Sequence, residues 1–132
     1  MSMFDAMNIA DSGLTTNRKW LDAVADNIAN MNNVSRVDEA AFQERYVIAR
    51  AISYGEPKGA YVAGNMWGDP NGQIVLMPGH PLADAEGRVR VPKMNLGDQM
   101  AGLMLAQRAY QANINVAERA KQTYEAAIGI GK

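Results

Sequence analysis

Met7, Leu14, Leu21 and Ile28 stand seven residues apart, as do Leu96, Leu103, Tyr110, Ala117 and Tyr124 near the other end of the chain. Around the first row, Phe4, Ala10, Val24, Ala25 and Met31 widen the apolar stripe. Asp5, Asn8, Thr15, Lys19, Asp22 and Asp26 occupy the other faces. The pattern predicts an amphipathic helix from about Met3 to Asn33 that needs a partner along most of its length. Met100, Ile114 and Ile128 accompany the second row and predict a matching helix from Asn95 to about Ile130. At about 1.5 Å rise per residue each helix is on the order of 45 Å long. That exceeds the width of a 132-residue domain. Helices of this length pack lengthwise on each other or on other chains.

Asp11-Ser12-Gly13 has two readings, an N-cap opening a fresh helix or a small-residue spot inside one long helix. Asn30-Met31-Asn32-Asn33 is expected to end the first helix, because asparagine tolerates the left-handed conformation of a helix C-terminus.

The middle of the chain changes character. Arg45 to Ser53 (RYVIARAIS) is β-branched and aromatic over a strand's length. Gly55 to Gly59 is read as a turn, Ala60 to Trp67 as a second strand, and Gly68 to Gly72 as another turn. Gln73 to Met77 and Arg88 to Val91 follow as short strands. The expected fold is α+β, with a small antiparallel β-module between two long helices. The boundaries are 1–33, 34–94 and 95–132. So few strands are marginal alone and need a helix or a neighbour.

Composition narrows the function. A formal charge of −1 gives no electrostatic reason for a nucleic-acid or acidic-lipid partner. With no cysteine, disulfides, thiolate metal sites and cysteine nucleophiles are excluded. Nine Met against two Phe, with abundant alanine, suits adaptable helix surfaces better than a self-contained core. No apolar run is long enough to span a bilayer. The first residues, MSMFDAMNIADSG, carry no basic residue and no cleavable apolar core, so any export is expected to bypass the general secretory route.

Candidate chemistry is thin. His80, Asp84 and Glu86 could form a metal or acid–base site in a small metal-dependent hydrolase. The prolines and glycine around them already account for a turn. Asp22 and Asp26 share a helix face, where solvation or pairing with Arg18 or Lys19 is expected over catalysis. The glycines at 59, 64, 68 and 72 lack phosphate-loop spacing, and no histidine or cysteine pair completes a haem or copper pocket among the methionines. No cofactor is expected.

Ala106 to Asn113, AQRAYQAN, is different. Its alanines admit a close backbone, Tyr110 extends the apolar row, and Gln107, Arg108, Gln111 and Asn113 offer hydrogen bonds without a catalytic base. Arginine and tyrosine are frequent anchors at interfaces. An intramolecular helix pair and a subunit contact both fit; helix length and composition favour assembly.

Three stretches carry a family resemblance. SGLTTNRKWLDAVADNIANMNN (Ser12 to Asn33), ending in Asn27-Ile28-Ala29-Asn30, resembles the N-terminal signature of bacterial flagellar axial proteins. PGHPLADAEGRVRVPKMN (Pro78 to Asn95) is similar to the segment that marks the proximal rod type. MLAQRAYQANINVAERAK (Met104 to Lys121) resembles the C-terminal axial helix. Residues 34–72 match poorly, Arg88 stands where the family usually has tyrosine, and Lys93-Met94 replaces the commoner asparagine–valine.

The resemblance implies a structural subunit of the flagellar basal-body rod, not an enzyme. Its terminal helices would form a coiled-coil-like layer lining the rod and its β-module would face outward. It implies as partners other proximal and distal rod subunits, copies of the same chain, the basal-body adaptor and the type III export gate. It implies no nucleic acid, small-molecule substrate or membrane insertion. Contacts are expected at Met7, Leu14, Leu21, Val24, Asn27, Ile28 and Asn30 on the first helix. On the second they are expected at Leu103, Gln107, Arg108, Tyr110, Gln111, Asn113, Ile114, Ala117 and Tyr124. A soluble helical export adaptor is the remaining alternative.

Overall fold

The computed structural model describes residues 2–131, the side chains of residues 54, 56 and 57 excepted. Met1 and Lys132 lie outside it. The order is α1 (Met3–Asn30), β1 (Arg45–Tyr54), β2 (Glu56–Trp67), β3 (Gln73–Leu76), β4 (Arg88–Val91) and α2 (Leu96–Ile130). The two long terminal helices contact each other, with small antiparallel sheets between them in sequence.

Helix α1 opens on a reciprocal cap. The backbone N–H of Asp5 donates to Ser2 Oγ (3.2 Å), and Ser2 N–H donates to Asp5 Oδ2 (2.7 Å). The Ser2 bonds hold the Asp5 carboxyl below its ordinary pKa. At Asp11-Ser12-Gly13 the helix runs on unbroken, so the small-residue reading is the right one. It ends at Asn30, but not by a left-handed asparagine. Among the described residues only glycines take positive φ. Instead Asn30 Nδ2 donates to the Asp26 carbonyl (2.8 Å) and Asn33 N–H to the Asn30 carbonyl (3.0 Å). Helix α2 begins after Asn95, whose Oδ1 accepts the Asp98 N–H at 3.2 Å.

The strands form two separate two-stranded sheets, β1 with β2 and β3 with β4. Strand β2 begins earlier than the glycines suggest, at Glu56, directly after Gly55 at φ 82°. In the second sheet Gln73 pairs with Val91, Ile74 with Arg90, Val75 with Val89 and Leu76 with Arg88.

The chain divides into two compact units. One comprises Met1–Leu21, Val47–Gly64 and Met104–Lys132. Its interior is built from small groups, with Ala10 and Ala106 buried. Gly13 of α1 lies against Asn113 of α2, and Phe4 meets Tyr124 edge-on at 5.7 Å between ring centroids. Ser12 ties α1 to β2: its hydroxyl donates to the Ile9 carbonyl (2.7 Å) and accepts the Ala60 N–H (3.1 Å).

The other unit comprises Asp22–Tyr46 and Asn65–Leu103. Ala23, Val24, Ala41 and Val89 are buried in it, and Val24 lies against Gly102. Residues 31–44 are held by backbone bonds, Ser35 with Arg90 in both directions and Ala41 N–H to the Pro70 carbonyl (2.8 Å). The Arg90 guanidinium gathers the carbonyls of Val37 and Asn71.

In each unit α1 and α2 run antiparallel. Asn27 and Val24 meet Gln99 and Gly102 in one, and Gly13 and Phe4 meet Asn113 and Tyr124 in the other.

Candidate assembly surface

The seam between the helices is partly polar. Asn27 is 1% exposed, and every hydrogen-bonding group of its amide is used. Its Nδ2 donates to the Arg45 carbonyl (3.0 Å) and to Gln99 Oε1 (3.1 Å), and its Oδ1 accepts the Arg45 N–H (2.9 Å). Gln99 is also buried, and its Nε2 donates to the Glu44 carboxylate. The Glu44 carboxylate also acts on the Tyr46 hydroxyl and pushes the Tyr46 pKa up to about 12. Buried amides are tolerated because each is paired.

Asn27 is therefore enclosed by its own chain, and Val24 is buried beside it. Met7, Leu14, Leu21, Ile28 and Asn30 on α1 are half-buried. On α2, Leu103, Tyr110, Asn113, Ile114 and Ala117 are half-buried, while Gln107, Arg108, Gln111 and Tyr124 are exposed. The heptad rows are thus only partly covered within the chain. Asp26 pairs with Arg45, not with Arg18 or Lys19.

Along α2, exposed apolar residues remain, several of them outside the seven-residue row. Leu105 is 56% exposed, Val116 48% and Met104 52%. Leu96, Met100, Ile128 and Ile130 are exposed as well. No helix among the described residues is long and apolar enough to cross a membrane. What missed these residues is the row's own bias: Leu105 and Val116 are one or two positions off the inner stripe and read as its flank. Gln99 was missed for the opposite reason, as a polar residue in an inward row.

The His80 loop is consumed by its own turn. His80 Nδ1 accepts the Leu82 N–H at 3.2 Å. Asp84 Oδ1 accepts the backbone N–H groups of Glu86 (3.1 Å) and Arg88 (2.7 Å), and Arg88 also pairs with Asp84 and Glu86 through its side chain. The Arg88 backbone bond, then its guanidinium, hold the Asp84 carboxyl below its ordinary value. Among the described residues no group of three or more His, Cys, Asp or Glu side chains is placed to hold a metal.

Two family models match the chain at its ends. Residues 7–36 match the flagella basal body rod protein model, and residues 85–130 match the flagellar basal body rod FlgEFG protein C-terminal model. The flagellar basal-body rod protein FlgC of Yersinia enterocolitica is 31% identical over 134 residues, covering 100% of both chains. The chain belongs to the FlgC family of flagellar basal-body rod proteins. The FlgC protein of Salmonella typhimurium is likewise 31% identical over 100% of both chains, and that of Bacillus subtilis 27% identical over 100% of both. As a member of the FlgC family the chain is a structural subunit of the basal-body rod and not an enzyme. That excludes the hydrolase reading of His80, Asp84 and Glu86. Membership also implies assembly with other rod subunits.

Proposed function

We propose that the subunit joins the proximal rod through its terminal helices, as one segment of a drive shaft that transmits torque. The observation that supports this best is the apolar residue left open along α2, above all Leu105 and Val116. Covering such a side chain stabilises by on the order of 1 kcal/mol or more. Association costs about 4–15 kcal/mol, so one neighbour does little more than offset it. Several neighbours, related by a repeating heterologous contact, convert the same surface into a filament.

In this reading residues 1–33 and 95–132 form the axial layer, and residues 34–94 face outward. The neighbours are copies of the same chain, other proximal and distal rod subunits and the basal-body adaptor. Export runs through the flagellar type III gate to a rod crossing the periplasmic space where there is one. A chain without disulfides and with an interior of small side chains suits passage in an unfolded state.

Site-directed photocrosslinking from Arg108 and Gln111 in intact cells tests the reading. Crosslinks to other rod subunits in purified basal bodies are the expected result. Basal bodies that contain the subunit without any such crosslink would contradict it.

A further inference from the structure

A pattern that repeats every seven residues specifies a helix pair but not its axial register. Shifting α1 past α2 by one heptad still sets the two apolar rows against each other. In the unit that holds them, Asn27 and Gln99 are the exception. Seven residues from Gln99 stand Pro92 and Ala106, and seven from Asn27 stand Trp20 and Val34. None of these completes an amide–amide bond, so a shifted pair buries polar groups without partners.

We propose that Asn27 and Gln99 set the axial register of α1 against α2, with Glu44 holding Gln99 in position. The 3.1 Å bond between the two amides is buried. It is also directional at both ends. Asn27 is fixed by both backbone groups of Arg45, at 2.9 Å and 3.0 Å, so its remaining N–H points one way only. Gln99 is fixed by Glu44, so its oxygen is the atom presented to Asn27. A single buried polar pair of this kind selects one alignment of paired helices over others of similar apolar content. The exposed Leu96 and Met100 of α2 are thereby offered in one fixed alignment with the part of α1 in the same unit. That consequence rests on the assembly reading; the register itself does not.

The absence of cysteine makes the test direct. A Cβ placed on Gly102 lies 3.6 Å from Val24 Cγ2, so Val24→Cys with Gly102→Cys reports the native register. Asn17→Cys with Gly102→Cys, and Val24→Cys with Ala109→Cys, report shifts of one heptad in either direction. In the purified full chain the first pair oxidises and the other two give only a trace of product. Adding Gln99→Met raises the shifted products about tenfold, the equivalent of one lost buried hydrogen bond. Leu103→Ala, which weakens the same packing without touching the amides, leaves them unchanged.

Native-register disulfide alone in Gln99→Met overturns the proposal, and so do equal shifted products in Leu103→Ala. Should Gln99→Met fail to fold, Glu44→Ala is read instead. It releases Gln99 while leaving Asn27 anchored, and no shifted product there overturns the proposal. Oxidation is read before assembly. A chain in native register that never enters a rod therefore counts against the proposed function, not against this device.

Discussion

Asn113 sits so close over Gly13 that a Cβ on the glycine would lie 2.7 Å from Asn113 Nδ2 and 2.9 Å from its Cγ. The two helices approach there because one side offers no side chain. The Asn113 amide is also held in place, donating to the Ala109 carbonyl at 3.1 Å. A glycine inside a helix costs about 1 kcal/mol relative to alanine. Here the close approach offsets that cost.

Gly13→Ala is expected to destabilise the chain by about 1 kcal/mol: overpacking costs about 1–3 kcal/mol, against about 1 kcal/mol gained in helix propensity. Asn113→Ala in the same chain should remove the penalty. A double-mutant cycle by urea unfolding measures the coupling, and additive effects would show that the contact is slack.

Ser12→Ala leaves the Ala60 N–H without its acceptor and should cost about 1–2 kcal/mol. Gly59→Ala is expected to be worse. Its φ is +115°, and a Cβ there would lie 2.1 Å from Ser12 Oγ. Removing the hydroxyl in a Ser12→Ala, Gly59→Ala chain relieves the clash but not the backbone strain, so thermal unfolding should show only partial recovery.

Much of this was legible in advance. The helices were expected from about Met3 to Asn33 and from Asn95 to about Ile130, and they span Met3–Asn30 and Leu96–Ile130. A long period-seven pattern is hard to satisfy otherwise. The strands were placed within a few residues, but their division into two sheets was not, because pairing depends on which loops tie back. Ser35 to Arg90 and Gly68 to Glu44 are such ties, and neither leaves a mark in the sequence. The buried role of Gln99 was equally hidden. Whether a polar residue in an inward row is enclosed depends on the partner that meets it, here Asn27.

Alkaline titration isolates Tyr46. The Glu44 carboxylate raises its pKa from 10.0 to about 12. The protonated form is thus favoured by the fold. This contribution to stability is fully present below pH 10 and is lost as pH rises through about 12. Absorbance of tyrosinate should show a late step that Tyr46→Phe removes; an unchanged titration in Tyr46→Phe would contradict the effect of Glu44. Asp84 has the opposite sense. Its lowered pKa contributes above the ordinary 3.8 and is lost as pH falls through the shifted value.

Arg88→Ala should loosen the turn from Pro78 to Gly87 without touching assembly of the helices. It frees the Asp84 and Glu86 carboxylates from their ion pairs. Both pairs are surface contacts, so the stability change should stay within about 1 kcal/mol. The Asp84 carboxyl should move back toward its ordinary pKa, read by nuclear magnetic resonance titration. A loss of rod assembly in this variant would show that the loop does more than turn.

Leu105→Asp and Val116→Asp put charge on exposed apolar positions that make no demand on the chain's own interior. Incorporation of these two variants into purified basal bodies, scored with swimming motility, is the decisive experiment. Subunits that fold as the parent does, yet are missing from the rod in non-motile cells, are the predicted result. Normal incorporation and normal swimming by both would contradict assembly through the open face of α2.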